Sequence, residues 1–145
     1  NDIPEDQSII IWCRFRHDIK IICDALDKNK ITNVRYDGDT KADIRQKNLI
    51  KFQSKQARVF VANPATASEG LNLFVANNVI YYSNSFKYGE RQQSEDRAHR
   101  IGQKNKVLYF DLIAENTLDN KIIKVLLEKQ ELANFITGDN IKEWL

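Results

Sequence analysis

The chain has 145 residues, of which 42% are hydrophobic and 29% charged, and a net charge of +2. That is the length of one domain with an ordinary globular composition, which excludes a collagen, a disordered tail and a mucin-like stalk. The longest apolar runs, such as Ile9 to Cys13, fall far short of a membrane span, and no secretory signal pattern opens the chain, so no membrane contact is expected. Cys13 and Cys23 are too few for a disulfide framework or a zinc site, which predicts reduced core thiols in a reducing compartment. His17 and His99 have no companions at metal-ligand spacing, so no metal is expected on this chain. Methionine is absent, which reads as a piece of something longer. The heavy use of Ile, Asn and Lys suits an AT-rich genome, such as that of a low-GC bacterium, a phage or a protist.

Bases exceed acids over 14–58 and again over 87–106, and a nearly uncharged stretch separates the two blocks. Folded onto one face they would make a surface for a polyanion; scattered, they are a solvated exterior.

In chain order, Ser8 to Cys13 is a continuous β-branched apolar run, the pattern of a strand buried on both faces. Asp18 to Leu26 has Ile19, Ile22, Cys23 and Leu26 at helical spacing. Asn33 to Tyr36 is a short strand. Asp37 to Thr40 is a turn, with Thr40 as the expected cap of a helix that buries Ile44, Leu49 or Asn48, and Phe52. Arg58 to Ala62 and Asn78 to Tyr82 are further strands, joined through a loop of small and polar residues from Asn63 to Gly70. Glu90 to Arg100 reads as a polar helix stopped by Gly102. Lys106 to Ile113 is a fifth strand, and Thr117 caps a long helix through Phe135 with Leu118, Ile122, Val125, Leu126 and Leu132 as its stripe. Alternating strands and helices predict an α/β fold with a largely parallel sheet flanked by helices, and ligands at the carboxyl ends of its strands.

Gln93, Arg97 and Arg100 stand at i, i+4 and i+7, one face of a continuous helix. Three donor-rich side chains with no acid among them suit a phosphate; equally, the arginines could pair with Glu95 and Asp96 on a solvated surface.

The string from Asp96 to Gln103, preceded by Gln93, resembles motif VI of the Swi/Snf family of helicase-like ATPases. Ser68 to Leu73 resembles motif V, Tyr36 to Thr40 with Arg45 and Phe52 resembles the family's Asp-Gly turn and its helix, and Ile9 to Phe15 resembles motif IV. Order and spacing fit from about residue 7 to 136. Two segments depart: Asn63 to Ser68 lacks the lysine usual in motif V, and Ser83, Phe86, Lys87 and Tyr88 replace the family's Asp and Trp-Asn-Pro. The divergence suggests a phage-encoded member.

The resemblance implies that residues 1–145 are one helicase C-terminal domain, the second RecA-like lobe of a two-lobed motor, with a three-layer sandwich fold. ATP would sit between the lobes, and the absent first lobe would supply the phosphate loop and the magnesium-binding acids. Neither a Gly-x-x-x-x-Gly-Lys-Ser/Thr loop nor a DExH-type pair occurs here, so the fragment alone should be inactive and hold no nucleotide tightly. By matching positions, Arg100 becomes an arginine finger, Arg97 its partner and Gln93 a positioning residue, with Glu69 and Gly70 beside the nucleotide. Arg14, Arg16, Gly38, Thr40, Asn63, Thr66 and Ser68 become contacts to the backbone of double-stranded DNA, without sequence readout. Partners are then the DNA and the first lobe, in the cytoplasm or, for a eukaryotic source, the nucleus. The competing reading is a non-catalytic binding module derived from such a lobe.

Overall fold

A computed structural model describes residues 3–137 apart from Glu69, and of Ser68 only the backbone. The elements run β1 (Ser8–Trp12), α1 (Arg16–Lys28), β2 (Asn33–Tyr36), α2 (Ala42–Gln53), β3 (Val59–Ala62), a 3-10 turn (Thr66–Ser68), β4 (Ala76–Tyr81), α3 (Tyr88–Ala98), β5 (Leu108–Asp111) and α4 (Leu118–Thr137). All four strand pairings are parallel, in the order β2-β3-β1-β4-β5. This is the α/β architecture the strand pattern predicts. The central strands are continuously apolar because both faces are covered: Ile10 pairs with Phe60 on one side and Val79 on the other, and all three are buried.

Helix placement follows from the strand order. The chain steps one way from β1 to β2 and the other way for every later crossover. With right-handed crossovers, that reversal sends α1 to one face of the sheet and the crossover helices α2 and α3 to the other. Accordingly Ile19 of α1 packs with Ile9, Cys13, Val59 and Val61. Phe52 of α2 and Ala98 of α3 pack with Ile10, Trp12, Phe60 and Tyr81 on the opposite face. Among the described residues α1 alone serves its face, and Leu108, Phe110 and Leu112 at the β5 edge are each at least 42% exposed.

Several boundaries differ from the sequence reading. Thr40 does not cap α2; Lys41 holds the N-cap position with no side-chain bond, and the Thr40 hydroxyl donates instead to Asp37 Oδ1 at 3.0 Å. Ile44 is exposed, and the inward positions of α2 are Leu49 and Phe52. Leu118 and Leu132 of α4 are also exposed, and Ile122 and Leu126 carry its packing. Both come from reading a wide apolar stripe where a single layer of contact buries only its middle.

Candidate functional site

The carboxyl ends of β1, β2 and β3 bring three loops together. Asn63, just past β3, donates its amide to the backbone oxygen of Arg14, just past β1, at 2.7 Å, and its own Oδ1 accepts from Ala65 N–H at 2.8 Å. That short Asx turn redirects the chain into the 3-10 turn that starts at Thr66. Past β2, Asp37 is fully buried and organises its loop. Its Oδ1 accepts from the Asp39 and Thr40 backbone N–H groups (3.1 Å each) and the Thr40 hydroxyl, and its Oδ2 accepts from Arg35 Nε at 2.7 Å. Burial pushes the Asp37 carboxyl up, but the donors from Arg35 and Thr40 outweigh it and hold its pKa below the usual range. Arg16 leans over Gly38, where a Cβ would come within 2.9 Å of its Nη2, and its Nη1 meets Asp39 Oδ1 at 2.7 Å. Arg14 and Arg16 are exposed, and Thr40, Asn63 and Thr66 are half-buried. Six of the seven expected phosphate contacts thus share one edge of the sheet. The Ser68 side chain lies outside what the structure describes.

At the switch point, where the exits of β1 and β4 diverge, the same edge holds a cavity of about 220 Å³. Arg14, Asn63, Ser83, Asn84, Lys87 and Arg91 are among the residues that line it.

A second cluster gathers at the far end of α3. Gly70 takes a φ of +69°, and a Cβ placed on it would lie 4.0 Å from Arg97 Nη1. Arg100 Nη1 donates to the Gly70 carbonyl at 3.1 Å, and Leu73 N–H donates to the Arg97 carbonyl at 3.0 Å. Gly70, Arg97 and Arg100 are therefore neighbours, as their grouping in the sequence reading requires; Glu69 lies outside the described residues. Gln93 is exposed on α3, one helical turn before Arg97.

Arg100 is not on the helix. The helix ends at Ala98, where His99 turns out with ψ 85°, so the stripe of three is a pair, Gln93 and Arg97, plus an arginine on the following loop. Two features stop the helix before Gly102. Gln103 Nε2 reaches the carbonyls of Phe74 (2.8 Å), Ala76 (3.0 Å) and Ala98 (3.2 Å), tying the helix end to the start of β4. Gly102, with φ +104°, sits in a turn that Gln103 N–H closes onto the Arg100 carbonyl at 2.9 Å. His99 is exposed, and its backbone N–H donates to the Glu95 carbonyl at 3.0 Å.

The sequence reading missed Arg91. Its side chain is 14% exposed and lies 3.5 Å from the centre of the Tyr81 ring. It donates to Glu95 Oε1 at 2.7 Å, to Asn84 Oδ1 at 3.0 Å and to both oxygens of Asp111. Tyr81 and Ser94 share a buried hydroxyl contact of 2.7 Å beside it. Burial would lower the Arg91 pKa, but Asp111 and Glu95 more than offset this and raise it, so the guanidinium stays charged. Glu95 thus pairs with Arg91 rather than shielding the arginines at the end of the helix. The i, i+4 spacing of Arg91 and Glu95 was the available signal.

An all-parallel five-stranded sheet with basic loops at its strand ends and two arginines closing α3 is the arrangement of a RecA-like lobe. The chain belongs to the family described as helicase conserved C-terminal domain, whose pattern residues 2–102 match, and it is of the Swi/Snf type. It is 34% identical over 136 residues to the ATP-dependent helicase fft2 of Schizosaccharomyces pombe, a match covering 93% of this chain and 11% of that protein. It is 30% identical to the ATP-dependent helicase FUN30 of Saccharomyces cerevisiae (94% and 12%) and 30% identical to the human chromatin-remodeling ATPase INO80 (92% and 9%). The crystal structure of the C-terminal part of the Fun30 ATPase domain superposes with a TM-score of 0.76 at 30% identity, over 83% of this chain and 39% of that one. The chain spans about a tenth of the length of these curated relatives. The three relatives are eukaryotic and lend no support to a phage origin. Among the described residues, no helix is long and apolar enough to cross a membrane.

Proposed function

We propose that this lobe is the second motor lobe of an ATP-dependent translocase on double-stranded DNA. ATP lies between it and a first lobe of the same protein, which carries the phosphate loop and the acids for magnesium. Arg100 reaches the γ-phosphate as an arginine finger, Arg97 assists it, Gln93 positions the pair, and Glu69 and Gly70 border the nucleotide. Arg14, Arg16, Gly38, Thr40, Asn63, Thr66 and Ser68 hold the DNA backbone, and the eukaryotic relatives favour the nucleus. The isolated chain does not hydrolyse ATP, because it holds half of the site.

The observation that carries the reading is the course of residues 63–73. This segment begins at the strand-end loops, bonded to Arg14, and ends at the arginine cluster, bonded to Arg100 and Arg97. Asn63 through its side chain, and Gly70 and Leu73 through their backbone, therefore touch both groups of residues, a link between nucleotide state and DNA grip. Arg100 is exposed and bonded to backbone carbonyls, so most of its five donors are open to a phosphate. Placed at a loose phosphoryl transition state, such a charge is worth roughly 10³- to 10⁵-fold in rate.

The test is ATP hydrolysis by the full-length protein with and without double-stranded DNA, beside Arg100→Ala. The expected result is DNA-stimulated hydrolysis that the variant loses by roughly 10³-fold while DNA binding persists. A variant as active as the parent removes the finger assignment. A parent that binds DNA but does not hydrolyse ATP leaves the binding-module reading in its place.

A further inference from the structure

Arg16 is offered above as a DNA contact, yet its guanidinium is already occupied. Its Nη1 sits 2.7 Å from Asp39 Oδ1, and the guanidinium reaches over the turn at Gly38, its Nη2 2.9 Å from where a Cβ on that glycine would stand. Asp39 is fixed in place by its own N–H, which donates to the buried Asp37, and by Arg35, whose Nη2 is 3.8 Å from Asp39 Oδ2. Asp37 is in turn held by Arg35 and Thr40. The turn thus presents a carboxylate at a defined position on the edge where a phosphate would arrive.

We propose that Asp39 is an internal competitor for the DNA phosphate: it holds Arg16 folded back over Gly38, and DNA engages Arg16 only by displacing it. The inference rests on the reading of this edge as the DNA face. Both partners are more than half exposed, at 62% and 53%, so their attraction is screened by water and is weak enough for a polyanion to displace. A carboxylate and a phosphate oxygen ask for the same fork of donors, so occupancy by one excludes the other. The effect is to set the affinity of this contact below what its arginine could give, which favours release during stepping.

The substitution Asp39→Asn keeps the backbone bond to Asp37 and removes the charge at an exposed site, so the fold is retained. The experiment measures binding of a random-sequence DNA duplex to the full-length protein, with Asp39→Asn, Arg16→Ala and the double variant, over a series of salt concentrations. The expected result is tighter binding by Asp39→Asn, roughly threefold to tenfold at low salt, with a gain that shrinks as added salt screens the charge Asp39 sets against the phosphate. In the Arg16→Ala background the same substitution should bring no such gain, because the freed arginine is gone. An Asp39→Asn protein with parental affinity at low salt overturns the proposal. So does a gain that persists undiminished without Arg16, which would make Asp39 a general repulsive charge. A parent whose DNA affinity ignores salt fails earlier, at the reading of this edge as a phosphate-binding face, and takes the proposal with it.

Discussion

Asp37 is a carboxylate without solvent contact, and it survives burial because the turn supplies two backbone N–H groups, a hydroxyl and a guanidinium to its oxygens. Its folded pKa lies below the unfolded value, so it contributes stability above about pH 3.9 and loses that contribution as pH falls through the lower folded value. Asp37→Asn should therefore cost about 2 kcal/mol at pH 7 and flatten the part of the acid-unfolding curve that lies below about pH 4, read by circular dichroism at fixed urea. The sequence identified this turn from the Asp-Gly pair but assigned the wrong acceptor. Thr40 has the chemistry of a cap, but its hydroxyl turns instead to Asp37, three residues back in the same turn. Arg100 teaches a similar lesson. Spacing put it on a helical face, but the helix ends two residues earlier because Gln103, from beyond the turn, captures the Ala98 carbonyl.

Helix α3 is the least apolar of the long elements, yet it lies against the sheet through Ser94 and Ala98. What compensates is the network around Arg91, which binds α3 to β4 through Tyr81 and to the end of β5 through Asp111. Arg91→Ala would leave Asp111 and Glu95 without their shared cation and open space beneath Tyr81. It should destabilise the fold by about 3 kcal/mol in urea titration, more than is usual for a surface arginine. Apolar periodicity could not find the contacts to Tyr81 and Asp111, because a strip of Gln, Ser, Glu and Asp has no apolar face to read; the i, i+4 spacing pointed only to the Glu95 pair. The strands were legible for the opposite reason: runs such as Val59 to Ala62 are apolar at every position, a pattern that a twice-covered strand imposes and a half-exposed one does not. Of the site, the two groups of residues were legible through motif order, while their linkage by the 63–73 segment came only with the topology.

At the level of the whole lobe, the single reversal of strand order gives one face α2 and α3 and, among the described residues, the other face α1. Leu108, Phe110 and Leu112 remain on the thinly covered side of an edge strand, a surface prone to self-association. Phe110→Lys should suppress light scattering of the isolated chain on warming, since the ring is 42% exposed on an edge strand. The strand order also has a consequence for a chain emerging from the ribosome. β1 and β2 are not neighbours; each first pairs with β3, which enters between them. No backbone ladder can close until Ala62 has been made, and the two earliest strands must wait for it with their hydrogen-bonding edges open. Synthesis therefore passes through an interval in which the nascent segment is most in need of a chaperone, and that interval ends when the third strand arrives.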